Sequence, residues 1–248
     1  MIINSFDKEK IAIINPEYKE NRLKCNACII TFSNKIEEYV LNQIKCDKIG
    51  ELTFVTGNIP VYKFEYNNKT FTFYKTYMGS PAAVGWLEDL SEIVDTNNIV
   101  VFGSAGCLDK EIIKREKIMV STEAYRDEGT SYHYIEPSDY ITIKNYKVVS
   151  RLLQKNNIPY IEGKTWTTDA FYRETINNFN QRKREGCISV EIECASLQAV
   201  CDFRNLDLYY FLTNGDLLDA PKWDTRDKNK VNHEYKYFDI ALELACQI

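Results

Sequence analysis

Histidine is scarce in this sequence. The 248 residues include two, His133 and His233. A His-based triad or a histidine-rich metal centre therefore has little support, and no metal is expected. Long apolar runs are also missing: no stretch approaches the roughly 20 residues that span a bilayer. The opening segment carries Asp7, Lys8, Glu9 and Lys10 and lacks the apolar core of a signal peptide, so a cytoplasmic location is expected. Cys25 and Cys28 form a Cys-x-x-Cys pair, but no second pair or His pair completes a zinc set. Without a secretion signal, the eight cysteines are expected to be reduced and mostly buried thiols. No internal repeat, low-complexity tract or Pro/Gly/Ser-rich linker divides the chain, so residues 1–248 read as one domain. A net charge of −5 argues against a nucleic-acid surface as the main feature, while leaving room for a local pocket that takes a small anion.

What is present is an ordinary globular composition, 44% hydrophobic and 27% charged, in a chain long enough for a substantial core. Short β-rich apolar runs at 27–32, 52–55, 70–77, 99–103, 118–121, 160–165, 188–192 and 208–212 alternate with helical patterns at 35–45, 82–94, 139–156, 174–185, 194–203 and 231–246. Such alternation predicts an α/β domain with a largely parallel or mixed sheet. In open sheets of this kind ligands bind at the carboxyl ends of strands. Five polar or glycine-containing segments lie at those ends: 78–81, 103–106, 167–169, 191–193 and 213–216. The architecture predicts that they converge.

Each segment has a structural and a functional reading. Ile99-Val-Val-Phe-Gly-Ser-Ala-Gly106 is an apolar strand ending in small residues; it reads as a tight turn, or as a close backbone approach with the Ser104 hydroxyl offered to an anion. In Val190-Glu-Ile-Glu193, an extended chain puts Glu191 and Glu193 on one side. The pair reads as a solvated helix start or as a carboxylate able to accept two hydrogen bonds from a vicinal diol such as a ribose. Leu208-Tyr-Tyr-Phe-Leu-Thr-Asn-Gly-Asp216 ends in Asn-Gly-Asp, which is turn chemistry by itself. Its functional reading is a carboxyl at a cleft wall, suited to general-acid work. Ala124-Tyr-Arg-Asp-Glu-Gly-Thr-Ser-Tyr-His-Tyr134 reads mainly as structural, with Arg126 and Asp127 able to form an ion pair and His133 a satisfied loop residue.

Taken in order, the segments resemble the nucleoside phosphorylase family, in its purine nucleoside phosphorylase and uridine phosphorylase branch. Tyr77-Met-Gly-Ser-Pro-Ala-Ala-Val-Gly-Trp-Leu-Glu-Asp-Leu90 is similar to the family's glycine-rich turn, proline and following helix. Val101-Phe-Gly-Ser-Ala-Gly-Cys107 resembles its GSCG or GTAG strand end. Arg126-Asp-Glu-Gly-Thr-Ser-Tyr-His-Tyr134 resembles the R-x-D-G-[TA]-S-x-H-[YF] segment of uridine phosphorylases. Thr168-Asp-Ala-Phe-Tyr172 resembles S-x-D-x-F-Y, and Val190-Glu-Ile-Glu-Cys-Ala-Ser-Leu197 resembles V-E-M-E-x-[AS]-[AS]. The match runs from about residue 25 to the C-terminus.

The resemblance implies a single-domain three-layer α/β/α fold with a mixed central sheet. It implies cleavage of a nucleoside's N-glycosidic bond with phosphate as co-substrate, no cofactor, and a homo-oligomer, either a dimer or a trimer of dimers. By position, Asp216 would protonate N7 of a departing purine. Glu193 would hold the ribose hydroxyls, with Ile192 and Met78 packed at the sugar. Phe171 would stack on or flank the base, Ala105 and Gly106 would line its pocket, and Ser104 would donate to phosphate. The uridine branch lacks the acid, and its Gln and Arg uracil readers have no match in Arg173-Glu-Thr-Ile-Asn-Asn178, so purine nucleosides are favoured over pyrimidine ones. The family's phosphate loop, G-D-P-x-R, has neither its Gly nor its Arg in Ile30-Thr-Phe-Ser-Asn-Lys35, and Val101 stands where the family carries a second Arg. A nucleosidase using water and a non-catalytic nucleoside-binding module of the same fold are the alternatives.

Overall fold

The computed structural model describes residues 1–55, 57–113, 117–219, 222–226 and 235–248. Strands in chain order are β1 (Leu23–Lys24), β2 (Ala27–Thr31), β3 (Asp47–Phe54), β4 (Gly57–Tyr66), β5 (Lys69–Lys75), β6 (Val94–Asp95), β7 (Asn98–Cys107), β8 (Ile118–Asp127), β9 (Tyr140–Thr142), β10 (Tyr160–Thr168), β11 (Cys187–Glu191) and β12 (Asp207–Leu217). The α-helices are α1 (Asn34–Gln43), α2 (Ser80–Leu90), α3 (Lys110–Ile113), α4 (Tyr146–Lys155), α5 (Ile176–Arg184), α6 (Cys194–Arg204) and α7 (Lys236–Gln247).

Among the described residues, ten strands form one mixed sheet in the order β11-β10-β8-β12-β7-β2-β5-β4-β3, with β9 on β8. Two-residue alternation explains its layers. On β2, β7 and β12, Ala27, Ile29, Val100, Phe102, Tyr209 and Phe211 face one core with α1, α4 and α7. Their neighbours Cys28, Ile30, Ile99, Val101, Leu208 and Tyr210 face the other core with α2 and α6. Strands buried on both faces read as continuous apolar runs, which is why these segments stand out in the sequence. The sheet also curls. Strand β11 pairs in parallel with β10 and antiparallel with β7, through Ser189 against Cys107 and Val190 against Gly106. This second pairing brings the carboxyl ends of β7 and β11 together.

Several boundaries differ from the sequence expectation. The pattern over 139–156 is a strand followed by a helix: Tyr140–Thr142 pairs antiparallel with β8, and the helix begins at Tyr146. Aromatic and β-branched residues suit that edge, and the available partner strand overrides the helical periodicity. The run at 52–55 is the end of a longer strand, β3, which forms a hairpin with β4; Pro60 interrupts the alternation in β4, so no apolar run marks that strand in the sequence. The helix expected over 82–94 ends at Leu90, and Val94 enters β6. Of the last helix, Lys236–Gln247 is observed, while residues 231–234, including His233, lie outside the described residues. All eight cysteines are free thiols. Among the described residues, no helix is long and apolar enough to cross a membrane.

Candidate active site

A cleft of about 540 Å³ opens at the carboxyl ends of β5, β7, β10, β11 and β12. Its walls include Met78, Ser104, Ala105, Gly106, Phe171, Ile192 and Asp216. Seven of the eight residues picked from the sequence thus share one cavity. The eighth, Glu193, is not a wall residue. It is 5% exposed, directly follows Ile192, and its Oε1 accepts the backbone N–H of Gly79 at 2.7 Å.

That contact is built by two helix starts locked together. Ser80 donates to the Ile192 carbonyl at 2.8 Å, and the Ser196 hydroxyl lies 2.9 Å from that of Ser80. Gly79 precedes α2 with φ +99°, a conformation that side chains disfavour, so the glycine lets its N–H turn towards Glu193. Glu191, two residues earlier, is the hub of a buried network. Its Oε2 accepts the N–H groups of Glu193 and Cys194, both at 2.7 Å, and the Tyr210 hydroxyl at 3.2 Å. Its Oε1 accepts from Thr167 at 2.5 Å. Two N–H groups at the start of α6 are thereby satisfied by a carboxylate at the positive end of the helix.

Burial pushes both carboxyls up, and Glu191 pushes Glu193 further, to about 8. The hydrogen bonds onto Glu191 favour its charged form, so of the two carboxyls Glu193 is the one that holds its proton to higher pH. A protonated carboxyl can both donate to and accept from a diol.

The acid segment is not the turn that Asn-Gly-Asp suggests. Asn214, Gly215 and Asp216 belong to β12, which pairs in parallel with β7 as far as Asn214 against Ala105 and shifts register before Leu217. A Cβ at Gly215 would lie 2.8 Å from the Ala105 carbonyl oxygen, so this glycine serves the close approach of two strands. Residues 103–106 are likewise strand and not a tight turn. Asp216 sits beside Gly106: a Cβ there would lie 3.5 Å from Asp216 Oδ1. The indole N–H of Trp223 donates to Asp216 Oδ2.

The segment 167–169 converges only indirectly. Thr167 is bound to Glu191, and Asp169 accepts from the Gly129 N–H at 2.9 Å. Arg126 and Asp127 form no ion pair, because neighbours on a strand point to opposite faces. Arg126 donates to Ser131, the Glu136 carbonyl and Ser138, whereas Asp127 accepts the Trp166 indole at 2.9 Å. His133 is exposed in a short 3₁₀ turn. The wall also includes Tyr172, Glu174, Ile176, Phe179, Leu218 and Trp223, to which no sequence motif assigns a role. Trp223, a large apolar residue in the polar stretch Lys222-Trp-Asp-Thr-Arg226, was the one available signal.

The Phosphorylase superfamily matches residues 27–243, and the chain belongs to it. Among curated relatives, it is 26% identical over 194 residues to the uncharacterized protein R802 of Acanthamoeba polyphaga mimivirus, covering 77% of this chain and 75% of that protein. It is 24% identical to the DeoD-type purine nucleoside phosphorylase of Alkaliphilus metalliredigens, covering 85% of this chain and 88% of that enzyme. Among solved structures, uridine phosphorylase from Vibrio fischeri superposes with a TM-score of 0.74 at 21% identity, over 90% of this chain and 92% of that one. The nucleoside phosphorylase resemblance read from the motifs agrees with these matches, and so does the mixed α/β fold.

Proposed function

We propose that the protein cleaves the N-glycosidic bond of a purine nucleoside, transferring the ribosyl group to phosphate to give free base and ribose 1-phosphate. The observation that carries this reading is an acid, Asp216, in the same strand-end cleft as Ile192 and Met78, with Glu193, the residue after Ile192, bonded to the Gly79 N–H next to Met78. DeoD-type relatives support the purine preference. Bond breaking builds positive charge on the ribose and negative charge on the base, and a site that meets both lowers the barrier. Asp216 delivers a proton to N7. Glu193 grips the ribose hydroxyls, while Ile192 and Met78 pack at the sugar. Phe171 flanks the base, and the small Ala105 and Gly106 let it approach the sheet. Ser104, exposed at its strand end, donates to phosphate, and positioning the nucleophile contributes several kcal/mol. The enzyme acts in the cytoplasm as a homo-oligomer.

One observation favours a second reading, hydrolysis by water. None of the described residues lining the cleft is a lysine or arginine, and a phosphate dianion is costly to hold without a cation. The test is a panel of purine and pyrimidine nucleosides incubated with and without phosphate, with chromatographic detection of free base. Phosphate-dependent release of purines supports the first reading. Equal release without phosphate supports the second, and release of uracil alone overturns the purine assignment.

A further inference from the structure

Trp223 holds a position that core packing does not explain. It is 57% exposed, whereas Trp86 and Trp166 are 2% and 1% exposed. Its indole N–H is nevertheless bonded to the acid of the cleft, and its ring forms part of the cleft wall. The backbone around it is set by an antiparallel bridge between Leu217 and Asp224. Leu217 N–H donates to the Asp224 carbonyl at 2.9 Å, and Asp224 N–H returns the bond at 3.2 Å. The bridge brings the chain back along the end of β12, one residue from Trp223 and one from Asp216.

We propose that Trp223 is a positioning residue that fixes which oxygen of Asp216 delivers the proton. This deepens the proposed function and rests on Asp216 being its acid. An indole N–H donates and never accepts, so Oδ2 is held as an acceptor and the acidic proton belongs on Oδ1. Oδ1 is the oxygen beside Gly106, a wall of the cleft. In the step itself the O–H bond at Oδ1 breaks as the N7–H bond forms. The electron pair of the C1′–N9 bond moves into the purine ring, which leaves as neutral base, C1′ forms its new bond to a phosphate oxygen, and the carboxyl becomes a carboxylate. The indole bond then becomes charge-assisted and stronger. It therefore stabilises the transition state more than the ground state.

The test compares two substrates: inosine, whose N7 must be protonated, and 7-methylguanosine, whose N7 is already alkylated and cationic and needs no proton. Trp223→Phe keeps a ring in the wall and removes only the donor. For inosine, kcat should fall by roughly 10- to 100-fold, the range for one hydrogen bond to a charged group, with KM nearly unchanged. Cleavage of 7-methylguanosine should be unaffected. Asp216→Asn should show the same discrimination with a larger loss. Equal losses on both substrates, or none on either, overturn the positioning role. If Asp216→Asn discriminates and Trp223→Phe does not, only this inference fails. A wild type that releases no base from either substrate overturns the proposed reaction and the inference together. Should Trp223→Phe not fold, the indole N–H signals of the three tryptophans decide the matter in Asp216→Ala. The Trp223 signal should shift and lose its protection from exchange while that of Trp166 stays; an unmoved Trp223 signal overturns the contact.

Discussion

Replacing Glu193 by glutamine should remove a pH-dependent weakness of the fold. Burial, with Glu191 next to it, pushes this carboxyl from its ordinary 4.5 to about 8. Because the folded-state value lies above the unfolded one, the associated stability is fully present below about pH 4.5 and is lost as pH rises towards about 8. At about 1.36 kcal/mol per pH unit across that window, the wild type loses about 4 kcal/mol between roughly pH 5 and pH 9 from this group alone. The variant has no proton to lose, and its amide oxygen still accepts the Gly79 N–H. Urea unfolding of both proteins at the two pH values measures the effect. Titrating groups that do not interact with Glu193 cancel in the difference between them, so the wild type should lose about 4 kcal/mol relative to Glu193→Gln. A gap that stays constant within about 1 kcal/mol would refute the reasoning and show that Glu193 is ionised in the fold at neutral pH.

Three further changes probe the site. Asp216→Asn should lower turnover of purine nucleosides by roughly 10²- to 10⁴-fold, the usual contribution of a general acid; near wild-type release of base in a steady-state assay would remove it from the mechanism. Ser104→Ala should raise the KM for phosphate by roughly 10- to 100-fold, the value of one hydrogen bond to a charged group, and leave the nucleoside KM alone. Parallel changes in both constants would place Ser104 elsewhere in the reaction. Gly215→Ala should force β12 away from the Ala105 carbonyl, lowering stability by about 1–3 kcal/mol as overpacking does and reducing turnover as well. An unchanged thermal midpoint would show that the strands can separate there without cost.

Much of the site was readable because strand ends in this architecture carry the ligand. Segments 78–81, 103–106, 191–193 and 213–216 all reach the cleft or its edge, and each lies where an apolar run gives way to small or polar residues. What misled were local rules. Asn214-Gly215-Asp216 has the composition of a turn, and residues 103–106 have the small residues of one, yet both are strand. Their glycines answer to neighbours distant in sequence: Gly215 to the Ala105 carbonyl, and Gly106 to Leu218 and Val190. Arg126 and Asp127 looked like an ion pair because they are adjacent, and adjacency on a strand separates them. The pattern over 139–156 has helical spacing throughout, but the carboxyl-terminal part of β8, beyond its pairing with β12 at Met119, claims its first residues.

By itself, then, the sequence determined the layers. The period-two alternation of β2, β7 and β12 sorts apolar side chains onto two faces, and each face requires a helix layer to cover it. It also determined which strand ends carry acids, hydroxyls and glycines, because those types are costly inside such runs. Only the tertiary structure decided that β11 curls round to pair with β7, that Glu191 places its oxygens on the start of α6 while Glu193 accepts from the Gly79 N–H, and that Trp223 comes back to Asp216. These contacts join residues far apart along the chain, and their energies depend on burial and on the direction of individual N–H groups, which no local pattern of residue types encodes.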